Sequence, residues 1–442
     1  MRFLIDGPTT IHGSISVAGA KNAALPFLAA SILLDAPLEV HRVPMIEDVH
    51  RMLEIAHRLG IAIDAVAPGV YRLTAAGCTT SELPADLTPK LRAAIIFTGP
   101  LLARWGSTVL PQPGGCTIGQ RPIDLFLDGF RAFGVTVTEE AAGTRFTGKP
   151  RSARYVFPLV SVTGTETLLL LAVRTPGVSV LENAAMEPEV TALAQLLQSC
   201  GAHIEGIGTP TLVIRGVEHL SGGVVTCIPD RIETGAFAAL VAACGGSLEI
   251  RDCDPTQIAV PLKLLEDMGA TIATDATAGV IRISAQLPLR AISIRTHEYP
   301  GLPTDLQPPF TVALTQASGL ALVHETIYEG RLFYVDKLNK MGANITLCDP
   351  HRCLVAGPRP LHGARLESPD IRAGIALLIA AACATGRSVI ENVYQIDRGF
   401  ERIEERLRDI GVRIQREEEG AHQPSAPIAL PDSRSPQGVV GY

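Results

Sequence analysis

The side chains of this sequence that can do chemistry are a cysteine framed by glycines, a carboxylate ahead of an apolar stretch, and cations at helix starts. In Pro113-Gly114-Gly115-Cys116-Thr117-Ile118-Gly119 the paired glycines predict an exposed loop, a poor place for an inert core thiol. The loop lacks the Walker and dinucleotide spacings, which disfavours ATP hydrolysis and NAD binding. Pro303-Thr304-Asp305-Leu306-Gln307 puts a carboxylate just before an apolar helix, where partial desolvation suits a general base and where an aspartate also serves as an ordinary cap. Asp397-Arg398-Gly399 falls in a loop ahead of the last amphipathic helix, and its plain reading is a surface ion pair of little worth. Histidines are dispersed and none pairs with a nucleophile, which argues against a Ser-His-Asp hydrolase.

Polar groups gather where apolar helices begin: Lys21 and Asn22, Arg92, Thr165 and Glu166, Glu233 and Thr234, Asp305 and Gln307, Asp370 and Arg372. Helix N-termini present free N–H groups and the positive end of the helix dipole, so several of them together make an anion site. Capping accounts equally well for Thr165, Thr234 and Asp370. It does not account for Lys21, Arg92 or Arg372, because a cation at the positive end of a helix is unfavourable unless an anion compensates.

The elements that must position these groups repeat. Six times an amphipathic helical stretch ends in an apolar residue or cysteine, a glycine, and a strand-like run: Leu59-Gly60-Ile61, Phe133-Gly134-Val135, Cys200-Gly201-Ala202, Met268-Gly269-Ala270, Met341-Gly342-Ala343 and Ile410-Gly411-Val412. The period is about 70 residues. The glycine suits the left-handed residue that commonly closes a helix. Each unit also holds a helix apolar on nearly every face: Ala23–Leu34, Ala93–Ala103, Thr167–Val173, Gly235–Ala243, Pro309–Ala317 and Ala373–Ala384. Such helices are buried all round. Six of them predict an α/β chain of two similar domains, each with three β-α units around central helices. The boundary falls near Thr226–Asp230, and the strand around Phe3–Ile5 is expected to return to the second domain. Pro229-Asp230-Arg231-Ile232-Glu233-Thr234-Gly235 at that joint reads as a hinge or an ion-pair network. Past Gln415 the pattern stops, and residues 416–442 read as a disordered tail.

Length and composition agree: 442 residues exceed one ordinary core. The slightly acidic balance argues against a nucleic-acid binder that neutralises phosphates. The apolar run Ile375–Ala384 is well short of the roughly 18 residues a membrane span needs. The expectation is a soluble, cytoplasmic protein with no evident obligate protein partner. Nine cysteines without zinc or C-x-x-C spacing indicate neither a disulfide framework nor a structural metal; eight of them read as core fillers.

The run Gly19-Ala20-Lys21-Asn22-Ala23-Ala24-Leu25-Pro26, the loop Pro113–Asp124, the joint Pro229–Gly235, the stretch Pro303–Gln307 and Ile396-Asp397-Arg398-Gly399 resemble, in order, the UDP-N-acetylglucosamine enolpyruvyl transferases. The resemblance extends from about Phe3 to Gln415. It implies an inside-out α/β barrel in two domains joined by two chain crossings: residues 21–228 with the Cys116 loop, and residues 1–20 with 229–415. It implies substrates, phosphoenolpyruvate and UDP-N-acetylglucosamine, bound in the cleft between domains, with neither a metal nor an organic cofactor.

By the same resemblance Lys21, Asn22, Arg121 and Arg398 hold phosphoenolpyruvate, with Arg331 and Arg372 supporting the charge cluster. Cys116 protonates the methylene carbon and is the group that fosfomycin alkylates. Asp305 takes the proton of the sugar 3-hydroxyl. Asn22, Arg92, Arg121, Pro122, Ile123, Asp124, Leu125, Ser161, Val162, Gly164, Asp305 and Ile327 match positions that contact the sugar nucleotide. Phe126, Leu159, Met186 and Gly330 depart from the family's commonest residues, and these departures cluster toward acceptor recognition and loop contacts. Two alternatives stay open at this point: transfer to a different nucleotide acceptor, and a non-catalytic paralogue that binds the sugar nucleotide and regulates.

Overall fold

The computed structural model describes residues 1–111 and 123–418. All six repeat glycines have positive φ, from 78° at Gly134 to 108° at Gly269. At the first, the helix Glu47–Arg58 closes with two bonds: the N–H of Gly60 donates to the His57 carbonyl at 2.9 Å, and that of Ile61 to the Ala56 carbonyl at 3.1 Å. The pair satisfies carbonyls that a helix end leaves open, and it requires a left-handed residue, which a Cβ would penalise. The same two bonds recur at Gly134, Gly201, Gly269, Gly342 and Gly411.

A second periodicity was not legible in the sequence. The strands Leu38–His41, Val178–Glu182, Gly246–Arg251 and Gly386–Glu391 are each followed by a non-glycine residue in the left-handed region: Arg42, Asn183, Asp252 and Asn392, with φ between 53° and 56°. The corresponding strands of the other two units, Ser107–Leu110 and Gly319–His324, lead in sequence toward the Cys116 segment and into Glu325–Arg331.

The strands make five four-stranded sheets and one of three among the described residues. Val178–Glu182 shows the usual plan: parallel to Arg154–Val156 on one side, antiparallel to the hairpin strand Thr211–Arg215 on the other. In the last sheet the N-terminal strand Arg2–Gly7 takes the place of a hairpin strand, with Phe3 opposite both Ile390 and Arg416. The sixth unit is therefore completed by the start of the chain.

Buried apolar side chains form two clusters. One runs from Ala20 to Cys227; the other joins Phe3–Val17 to Ile232–Ile414. The chain passes between them twice, and the two crossings lie side by side: the N–H of Ala20 donates to the Ile228 carbonyl at 2.7 Å and that of Asp230 to the Ala18 carbonyl at 3.0 Å. In the second lobe the helices Arg231–Cys244, Gln307–Thr315 and Ile371–Cys383 pack on one another, nearly every residue buried, with sheets outside. In the first lobe the 3-10 turn Arg92–Phe97 links Lys21–Ala30 to Val162–Ala172.

Several expectations need correction. The buried helices begin earlier than apolar content indicates, at Val162 and Arg231 for example, because their first turns are polar yet capped. The caps are Ser161, Asp230 and, as expected, Asp370. Thr165 and Thr234 lie inside helices; Thr165 Oγ1 accepts from the Ala185 N–H and Thr234 Oγ1 donates to the Asp230 carbonyl. Arg416 and Glu417, assigned to a disordered tail, belong to the strand Arg413–Glu417; residues 419–442 lie outside the described residues. Of the cysteines described, Cys348 is exposed and Cys244 and Cys383 are half-buried, their sulfurs 3.1 Å apart, so fewer are core fillers than composition suggested.

Candidate functional site

Lys21 opens the helix Lys21–Ala30, and its Nζ lies 3.1 Å from Asp48 Oδ2. Asp48 sits in the first turn of Glu47–Arg58, with only 6% of its side chain exposed. Its other oxygen accepts from Arg398 Nε at 2.8 Å, and Arg398 Nη1 donates to Gln395 Oε1 at 3.0 Å. Burial lowers the Lys21 ammonium's pKa, and the Asp48 carboxylate opposes that effect; the positive charges of Arg372 and Arg398 add to the lowering. Burial works against the Asp48 carboxylate too, but Lys21 and Arg398 outweigh it and hold its pKa below the usual value.

Beside these groups stands a second set. Asp305 accepts from Arg331 Nη2 at 2.8 Å through one oxygen and from Arg372 Nε at 2.9 Å through the other. Arg331 also donates to Thr304 Oγ1 and lies over the Tyr328 ring; Asp370 Oδ1 is 4.0 Å from it. Arg372 rests on the Phe400 ring, and its Nη1 is buried with no hydrogen-bond partner among the described residues. The Nη1 atom lies 3.8 Å from where a Cβ on Gly399 would stand, next to Arg398, and that Cβ would also meet Ile371 Cγ2 at 2.4 Å. Glycine at 399 thus lets the Arg398 loop approach the start of the Arg372 helix.

Asp305 is the middle residue of the short turn Thr304–Leu306 and does not cap the helix that follows with its side chain, so the simple capping account of it fails. Four cations, Lys21, Arg331, Arg372 and Arg398, thus gather with Asp48, Asp305 and Asp370. A donor with no acceptor among the described residues in such a nest suits a compact anion, because fork-shaped guanidiniums bind carboxylate and phosphate through paired bonds.

In the first lobe, Ile123 precedes the helix Asp124–Ala132 and Ser161 caps Val162–Ala172. The two helix starts touch: a Cβ on Gly164 would lie 2.7 Å from Leu125 Cδ1. Tyr155 donates to the Leu125 carbonyl at 2.8 Å. Phe126, in the first turn of the helix that Asp124 opens, is buried in the first-lobe core, whereas Leu159 is largely exposed. Asn22 and Arg92 stand at the starts of their own helical segments. Ile327 follows Glu325, a fully buried carboxylate that accepts the N–H groups of Ile327 and Tyr328. Cys116, Arg121 and Pro122 lie outside the described residues.

Sequence reasoning missed Asp48, Glu325, Glu187 and Glu189. Asp48 had a signal: it lies four residues before Met52 on the helix face that Met52 and Ile55 bury. The joint is an ion-pair network. Arg231 meets Glu189 at 3.2 Å, while Glu233 binds Arg406 and accepts the Ala18 N–H at 2.7 Å. Asp397 does not make a surface pair of little worth; Arg416 grips it from behind through two bonds.

Among the described residues no helix is long and apolar enough to cross a membrane. The family model for EPSP synthase (3-phosphoshikimate 1-carboxyvinyltransferase) matches residues 5–407. A UDP-N-acetylglucosamine 1-carboxyvinyltransferase of Treponema denticola is 40% identical over 423 residues, 94% of this chain and 99% of the relative. One of Koribacter versatilis is 39% identical over 437 residues, 97% and 99% respectively. Among solved structures, the enolpyruvyl transferase NikO from Streptomyces tendae matches with a TM-score of 0.84 at 24% identity, covering 94% of this chain and 98% of its own. An EPSP synthase from Acinetobacter baumannii matches at 0.72 and 18%, covering 95% and 100%. These two likenesses speak to the fold.

Proposed function

Since the chain belongs to the EPSP synthase family and, through relatives near 40% identity over almost its whole length, to the UDP-N-acetylglucosamine 1-carboxyvinyltransferases, we infer that it transfers an enolpyruvyl group to UDP-N-acetylglucosamine. The donor is phosphoenolpyruvate and the acceptor atom the 3-hydroxyl oxygen of the sugar. Phosphate leaves, and the product is a peptidoglycan precursor. We place the reaction in the cytoplasm, where both highly charged substrates are held.

The observation that supports the donor site best is Nη1 of Arg372, buried in the cation nest with no hydrogen-bond partner among the described residues. We assign phosphoenolpyruvate to Lys21, Arg331, Arg372 and Arg398, joined by Arg121, with Asn22 beside them. The sugar nucleotide is assigned to Asn22, Arg92, Arg121–Leu125, Ser161, Val162, Gly164 and Ile327. In the addition step Asp305 takes the hydroxyl proton, the oxygen bonds to the central carbon of phosphoenolpyruvate, and Cys116 gives its thiol proton to the methylene carbon. The product of that step is a tetrahedral ketal. In the elimination step the carbon–oxygen bond to phosphate breaks with its electron pair leaving on phosphate. The Cys116 thiolate takes back a methyl proton, which restores the alkene and the thiol, and the proton held by Asp305 leaves with phosphate. Asp305 starts this sequence paired with one arginine at each carboxylate oxygen, and the second lone pair of an oxygen is where the substrate hydroxyl would donate.

Phosphate release from phosphoenolpyruvate, measured with UDP-N-acetylglucosamine, other nucleotides and shikimate 3-phosphate as acceptors, tests the reading. Turnover with UDP-N-acetylglucosamine is expected. Activity confined to another acceptor, or binding of the sugar nucleotide without turnover, overturns it.

A further inference from the structure

We propose that Arg416 is a positioning residue for Arg398, acting through Asp397; the proposal rests on the enolpyruvyl-transfer reading above. Arg416 lies on the last strand, opposite Phe3, and its guanidinium stands 4.8 Å from the centre of the Phe3 ring. Nη1 and Nη2 donate to the two oxygens of Asp397 at 2.8 and 2.7 Å. Nε and Nη2 donate to the two oxygens of Glu404 at 2.7 and 3.0 Å. The remaining contact is from Nη1 to Met1 Sδ at 3.8 Å, so the donors of one guanidinium are all engaged.

What these bonds fasten is a loop. Asp397 ends the turn Tyr394–Asp397, and Glu404 stands in the first turn of the helix Ile403–Asp409. Between them run Arg398, Gly399, Phe400, Glu401 and Arg402, so Arg416 pins the base of the loop from both sides. The front of the loop faces the cation nest: Arg398 reaches Asp48, Phe400 supports Arg372, and Glu401 accepts the N–H of Met45 in the first lobe at 3.0 Å. Arg402 adopts φ 45°, a left-handed conformation that a non-glycine side chain keeps only when its surroundings dictate it. Asp397 and Arg398 are consecutive, so a shift of one carboxylate at the back moves the guanidinium at the front. A lysine at 416 has no fork to span two carboxylates.

The experiment is steady-state kinetics with both substrates, together with a crystal structure, for Arg416→Gln, Asp397→Asn and the double variant. KM for phosphoenolpyruvate is expected to rise on the order of 10- to 100-fold, the scale of a misplaced binding group. KM for UDP-N-acetylglucosamine should stay nearly constant, and the double variant should be no worse than the poorer single one. In the crystal, Arg398 should leave Asp48. Losses shared equally by both substrates in step with a lowered Tm, or an Arg398–Asp48 contact that persists in Arg416→Gln, overturn the proposal. Should Arg416→Gln not fold, Arg416→Lys is expected to show a smaller rise in the same KM, and normal kinetics there would overturn it too. A wild-type protein inert toward both substrates defeats the functional reading instead, and the crystallographic arm still decides the role of Arg416.

Discussion

Asp48 Oδ1 and Arg398 Nε meet at 2.8 Å although 350 positions separate them in the chain and they belong to different lobes. Lys21 occupies the other oxygen of Asp48, so one carboxylate bridges two cations and offsets half of their combined charge. Asp48→Asn should lower stability, since removing one partner of a buried pair costs about 3–5 kcal/mol, and less here because Arg398 is about a quarter exposed. The effect has a sign in pH. Asp48's pKa is depressed in the folded protein, so its contribution is complete above the ordinary carboxylate value of 3.8 and fades as pH falls through the depressed one. The Tm gap between wild type and Asp48→Asn should therefore be full at neutral pH and shrink below that value in calorimetry; a gap equally wide at pH 3 and pH 7 would count against the pairing.

Asp305 is half of a different arrangement, one carboxylate between two guanidiniums, and the proposed base of the reaction. Asparagine keeps the shape and can still accept from one arginine but takes no proton. Asp305→Asn should lower kcat by roughly 10²- to 10⁴-fold, the range for a lost general base. Single-turnover measurements at saturating substrate should place the loss in the chemical step. A variant with normal kcat would remove Asp305 from the proton path.

Cys116 requires a functional test of its own, since its role comes from the resemblance. Cys116→Asp should keep turnover, because a carboxylic acid can donate the proton, and it should resist fosfomycin, because a carboxylate is a poorer target for alkylation than a thiol. Cys116→Ser should lose fosfomycin labelling and most turnover. Mass spectrometry of the treated proteins reads the labelling, and identical adducts on wild type and both variants would show the modified group to be another residue.

The repeat was legible because it rests on local chemistry. A helix ending in a left-handed glycine announces itself in Gly60 or Gly411 whatever the chain packs against, and an all-apolar stretch such as Ile375–Ala384 announces burial. Lys21 and Arg372 were legible as cations out of place at helix starts, and Asp305 as a carboxylate just ahead of a buried helix. Glu325 and Arg416 were not, since each draws its meaning from a partner distant in sequence, Glu325 from Thr296 and Arg416 from Phe3 and Asp397; Asp48 left a trace on its buried helix face, but its partner Arg398 did not. The helix starts were misplaced for a related reason, because the first turns of Val162–Ala172 and Arg231–Cys244 carry polar side chains that are buried all the same, which apolar content cannot register.

Glu166 gives the last test. Its side chain is almost fully buried in the helix that Ser161 caps, and one of its oxygens has no hydrogen-bond partner among the described residues. Burial, followed by the nearby charges of Glu189 and Glu187, raises its pKa well above the carboxylate range; Arg231, the cation at this joint, is bound to Glu189. In the unfolded chain Glu166 ionises near the ordinary value of 4.5, whereas in the fold burial holds its proton to higher pH. The native state then binds more protons than the unfolded one, so this group lowers stability as pH rises from that value until the folded carboxyl itself ionises. Glutamine has no such proton to lose in either state. Glu166→Gln should match wild type near pH 4.5 and exceed it in urea midpoint as pH rises above that value, the gap still present at pH 7.5. A variant less stable than wild type at pH 7.5 would mean that the carboxyl is ionised and paired in the folded protein, which would reverse the sign of the acid cluster's contribution.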